Sequence, residues 1–133
     1  MEPIHIHINH DPVAWCAPRI GRGVCYSQHS KFKEIFHAFI ISQYKDPPIK
    51  GYVRVEFDFY FPYPKSASKK KIQLMEEKKI YPTRSDLTNL QKFCEDCLKK
   101  IIIDDDRNVV EISSKKLYAL DGHINIRITP CEQ

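Results

Sequence analysis

The chain has no apolar run approaching the length of a bilayer-spanning helix, and its opening residues, MEPIHIHINHDP, lack both the basic start and the apolar stretch of a secretion signal. A cytoplasmic protein with no membrane partner is therefore expected. No linker divides the sequence, so its 133 residues should form one domain, 1–133, large enough to bury a core without staples. The cysteines, Cys16, Cys25, Cys94, Cys97 and Cys131, are odd in number, which fits reduced thiols better than a disulfide framework. Cys94-x-x-Cys97 has no second closely spaced pair to complete a zinc site, and both residues fall on the apolar stripe of a predicted helix, where cysteine acts as a small hydrophobe. Charge is not lopsided either. Lys+Arg number 21 against Asp+Glu 17, a net +4 that permits a nucleic-acid partner without requiring one.

What is present is a clear alternation of patterns. Residues 4–9, IHIHIN, and 51–61, GYVRVEFDFYF, place apolar side chains at every second position, as half-buried strands do, which leaves His5 and His7 on an exposed face. The stretch from Asp11 to Gln28, with its prolines and glycines and with Arg19 and Arg22, reads as a basic loop. Trp15, inside it, reads as a loop anchor with a second potential use, stacking on unpaired bases. Phe32, Ile35, Phe36, Phe39 and Ile40 recur at helical spacing behind a Ser30 cap. Residues 65–84 carry Lys65, Lys69, Lys70, Lys71 and Arg84 and read as a mobile basic connection with a short helix around 72–79. A second main helix is expected from Ser85, as cap, to Lys100, and two strands, 109–118 and 123–128, joined around Asp121 and Gly122, with Lys116 on the first. This order implies an α+β domain in which two main helices pack on one face of a small mixed sheet.

Immediately after the apolar Ile101, Ile102 and Ile103 come Asp104, Asp105 and Asp106. Such adjacent carboxylates repel one another unless a cation sits among them. On a basic background they suit a metal-dependent enzyme acting on a polyanion, in which lysines gather phosphates and carboxylates hold a hard divalent cation. In isolation the triplet is a solvated acidic turn, Asp86 a helix N-terminal acid favoured by the dipole, and Lys92 a surface lysine. Their joint occurrence with Asn89 and Asp96 outweighs those separate readings.

The stretch from FYFPYPKSASKKK through RSDLTNLQKFCEDCLKK and DDDRNVVEISSKKLY to HINIRI resembles the RusA-type Holliday junction resolvases. SDLTNLQK (85–92), EDCL (95–98), DDRNV (105–109) and KLY (116–118) fall in the family's order and spacing, and the opening loop is similar more loosely. The resemblance implies that Asp86 and Asp106 are metal-binding catalytic carboxylates with Asp105 beside them, and that Lys92 faces the scissile phosphate. It implies Mg²⁺, replaceable by Mn²⁺, as cofactor. It implies a homodimer that cuts four-way DNA junctions by paired symmetric cleavage, with Arg19, Arg22, Lys65, Lys69, Lys70, Lys71, Arg84 and Lys116 as candidate DNA contacts. Thr88 stands where a second aspartate is usual, which lowers the charge offered to the metal.

A helix running straight from Asp86 to Lys100 spans roughly 22 Å, so Asp86 and Asp106 of one chain do not obviously meet at one ion. Either the helix is shorter and the chain doubles back, or two copies pair about a two-fold axis and share sites. A catalytically weak or inactive branched-DNA-binding module, and a metal nuclease for flaps, forks or RNA, are the rival readings.

Overall fold

The computed structural model describes residues 2–16 and 23–131, the side chains of 23–28 excepted. Strand β1 (Ile4–Ile8) is followed by helix α1 (Gly23–Gln43), strand β2 (Val53–Pro62), helices α2 (Lys69–Glu76) and α3 (Leu87–Leu98), and strands β3 (Val109–Ala119) and β4 (His123–Pro130). The four strands form one sheet in the order β1-β4-β2-β3, mixed because β2 and β3 run parallel while the other pairs are antiparallel. The fold is α+β as expected, with α1 and α3 as the two main helices and α2 as the short one.

Strand alternation sorts the sheet's faces. Val53, Val55, Phe57, Phe59 and Phe61 of β2, Ile6 and Ile8 of β1, and Ile124, Ile126 and Ile128 of β4 are buried together. Phe36 and Ile40 of α1 and Leu90, Phe93, Cys94, Cys97 and Leu98 of α3 close over them, with Phe36 and Phe93 packed edge to face at 5.0 Å. Each such aromatic or branched side chain taken out of water contributes about 1.5–3 kcal/mol. The opposite face carries His5, His7, Arg54, Glu56 and Arg127, all exposed, as their alternation requires.

Several boundaries differ from the sequence-based expectation. Helix α1 begins at Gly23, so Ser30 lies within it and does not cap it, and the end of the supposed loop is helical; no proline interrupts residues 23–43, and glycine alone does not stop a helix whose other face is buried. In α3 the N-cap is Asp86 and not Ser85, because Ser85 adopts φ 67°, outside the extended conformation a cap needs. The helix ends at Leu98, short of Lys100. Strands β3 and β4 are joined by a short turn, yet β2 lies between them in the sheet. Gly122 belongs in that turn because a Cβ there would collide with the Asp11 carboxylate. The basic stretch 65–84 carries α2, displaced by three residues from the expected position and capped by Ser68, whose hydroxyl accepts from the Lys71 N–H at 3.2 Å. Cys16 is disulfide-bonded, against the expectation of reduced thiols; an odd count leaves at least one cysteine over but does not stop a pair forming. Cys94, Cys97 and Cys131 are free. Among the described residues no helix is long and apolar enough to cross a membrane.

Candidate functional site

Helix α3 positions the candidate residues, because its buried stripe fixes which way every other side chain points. Asp86 caps it through the main chain alone: its carbonyl accepts from the Asn89 and Leu90 N–H groups at 3.1 Å each. Its carboxylate makes no capping bond and is exposed. The residue before it, Ser85, is left-handed, a conformation that costs a non-glycine residue about 1–2 kcal/mol. What holds it there is Lys116, whose ammonium reaches from the helix-covered face of β3 and donates to the Ser85 carbonyl at 3.0 Å. Lys116 therefore stands one peptide unit from Asp86.

Further along, Ser114 of β3 donates to the Gln91 side-chain oxygen at 2.7 Å. Gln91 also hydrogen-bonds the half-buried Glu95. Burial pushes the Glu95 carboxyl up from its ordinary pKa and the charges of Asp106 and Asp96 push the same way, while the Gln91 bond draws it down.

The acidic turn is anchored from below. Ile102 and Ile103 are buried, the Ile102 carbonyl accepts from the Ile49 N–H at 2.7 Å, and the Asp104 N–H donates to the Ile49 carbonyl at 3.2 Å. Asp105 then caps a single 3₁₀ turn, 106–108, and both its oxygens are engaged by Arg107: one accepts the main-chain N–H at 2.9 Å, the other the guanidinium at 3.1 and 2.9 Å. Those bonds hold the Asp105 carboxyl well below the usual carboxylate range. Asp106 is exposed, with the Lys99 ammonium at 3.8 Å.

The contacts therefore put Asp86 beside Lys116, near one end of β3, and Asp106 beside Lys99, before its start. The twelve residues of α3 separate them, roughly 18 Å along the axis. The structure does not bring the two carboxylates together within one chain, and among the described residues no group of three or more His, Cys, Asp and Glu side chains could hold a metal. The donors are hard carboxylate oxygens, the chemistry Mg²⁺ or Mn²⁺ takes, but one chain presents them as two half-sets.

Lys92 points elsewhere: its ammonium sits 3.5 Å from the centre of the Trp15 indole, and the Trp15 main-chain N–H donates to the Asn89 carbonyl at 2.9 Å. Lys65, Lys69, Lys70, Lys71 and Arg84 are exposed, and among the described residues none forms an ion pair. Arg19 and Arg22 lie outside the described residues. Cys94 and Cys97 are buried in the core, which pushes both thiols up, Cys97 to about 12.

Sequence reasoning missed Gln91, Glu95 and Lys99, spaced four apart along α3 toward β3 and the acidic turn; that spacing was available, since residues four apart share a helix face. It also missed Arg107 as the partner of Asp105.

The family model for endodeoxyribonuclease RusA matches residues 17–129, and the chain belongs to the RusA endodeoxyribonuclease family. It is 31% identical over 137 residues to the uncharacterized protein YqaN of Bacillus subtilis (strain 168), with 96% of each chain covered. Membership implies nuclease activity of the Holliday junction resolvase kind.

Proposed function

We propose that this protein is a Mg²⁺-dependent endonuclease, accepting Mn²⁺, that works in the cytoplasm as a homodimer and resolves four-way DNA junctions by paired symmetric cuts. The observation that carries the reading is the presentation of Asp86: a carboxylate left free of the capping bond it is placed to make, on a backbone strained at Ser85 and held by a lysine. Strain of this kind collects at functional sites.

Asp86 and Asp106 would hold the ion, which when bound supplies a polarised water and a counter-charge for the scissile phosphate. Lys116 offsets charge building on the phosphate oxygens beside Asp86. Because α3 keeps the two carboxylates at opposite ends, an antiparallel pairing of two copies would let Asp86 of one complete a site with Asp106 of the other, giving two sites related by the two-fold symmetry of a junction. Asp105 belongs to the acidic turn as a second carboxylate, available to an ion once Arg107 turns to a phosphate. The basic stretch supports a nucleic-acid partner independently. Three lysines in the first turn of α2 have the wrong sign for the helix dipole, so helix stability does not account for them.

The test is incubation with a synthetic four-way junction, linear duplex and single strand in Mg²⁺ or Mn²⁺, alongside Asp106→Asn. Paired nicks in the junction alone, abolished by the substitution, are expected. Thr88 and the engagement of Asp105 by Arg107 favour the second reading, a branched-DNA-binding module, which binding without cutting would support.

A further inference from the structure

Lys92, which the family motif sets against the phosphate, is held by an aromatic ring. Its ammonium lies 3.5 Å from the Trp15 ring centre, well inside the range in which an aromatic face attracts a cation. The residue that carries the ring is itself anchored: the Trp15 main-chain N–H donates to the Asn89 carbonyl on the same helix, and the side chain packs, partly buried, on the core. The contact therefore joins the opening loop to α3 next to the residues proposed to act on DNA.

From this the geometry points to Trp15 as a positioning residue, a latch that stores the Lys92 ammonium on its indole face until a DNA phosphate takes the ammonium over. The inference rests on the nuclease reading above. An exposed cation–π contact is weak enough to be exchanged, and a phosphate oxygen offers the ammonium a full opposite charge and a charge-assisted hydrogen bond. The indole thus keeps Lys92 out of the carboxylates, where it would compete with a cation, and next to where the backbone arrives. Among the described residues Lys92 forms no ion pair with Asp96, Glu95 or Asp106, acids along α3 and its exit.

Trp15 is the sole tryptophan of the chain, so its fluorescence reports this contact directly. An ammonium against an excited indole quenches it by proton donation. Emission of the free Lys92→Met protein should exceed that of wild type. A catalytically blocked junction titration, with Ca²⁺ replacing Mg²⁺ and binding followed by anisotropy of a labelled strand, should raise wild-type emission toward the Lys92→Met level and leave Lys92→Met nearly unchanged. Trp15→Leu, checked for an intact melting transition, should bind the junction about two- to fivefold more tightly, because the phosphate no longer competes with the ring. Junction binding with unchanged emission, an equal change in both proteins, or weaker binding by Trp15→Leu overturns the latch while sparing the nuclease reading. Absence of any junction binding overturns both.

Discussion

The Lys116 ammonium donates to the Ser85 carbonyl at 3.0 Å across 31 residues of sequence, so strand β3 fixes the backbone on which Asp86 is mounted. Removing the donor leaves the left-handed residue unsupported. Lys116→Met is expected to lose about 1 kcal/mol of stability, the worth of a partly exposed charged hydrogen bond, and to cut junction cleavage at least about tenfold as Asp86 drifts. Ser85→Gly in the same background should recover the stability, since glycine adopts positive φ freely, without recovering all of the cleavage. Thermal melting and a single-turnover cleavage assay, run in parallel, separate the two effects.

Arg107 determines the ionisation of Asp105. The folded carboxyl is held below its ordinary pKa, so its favourable contribution is present above the unfolded value and fades only as pH falls through the depressed folded one. Carboxyl ¹³C NMR should show Asp105 still ionised at pH values below the ordinary aspartate pKa. Arg107→Ala should return it to the common range near 4. An unchanged titration would show that the three bonds from Arg107 do not govern this group.

Glu95 has the opposite sign. Its folded pKa is raised, chiefly by burial, so folding is favoured most below the unfolded glutamate value and loses support as pH rises through the folded one. Glu95→Gln keeps the shape and removes the charge. It should raise the melting temperature by roughly 2 °C at pH 7 and by nothing measurable at pH 4. Equal effects at both pH values would mean that the charge is not what destabilises the native residue.

Cys94 and Cys97 are core hydrophobes whose thiols are pushed up by burial, whereas Cys131 is only half-buried. A thiol reagent applied to native protein at pH 8 should therefore modify Cys131 and spare the pair until denaturant is added. Rapid modification of either helix cysteine in the native state would contradict their placement.

Much of this architecture was legible because burial imposes its period on the chain. The alternation in IHIHI and VRVEFDFYF placed β1 and β2 and separated their faces, and the spacing of Leu90, Cys94, Cys97 and Leu98 gave the core side of α3. The rest depends on contacts that leave no local trace. Either Ser85 or Asp86 has the chemistry of a cap, and it is Lys116, far along the chain, that settles the conformation. That β2 lies between β3 and β4 is a matter of partner choice, which periodicity does not encode. At the site, motif spacing pointed to Asp86, Asp105, Asp106 and Lys92, but gave no sign that Lys92 rests on Trp15; nothing in the order of residues predicts a contact made through space from a loop.

Subunit mixing tests the shared two-carboxylate site most directly. Asp86→Asn and Asp106→Asn chains, each inactive alone, are co-expressed with different tags, and the doubly tagged species is assayed on a four-way junction in Mg²⁺. If one site draws Asp86 and Asp106 from different chains, the mixed dimer keeps one intact site and nicks one strand of the junction. A mixed species as inactive as either parent, or a failure to recover any doubly tagged protein, would contradict it.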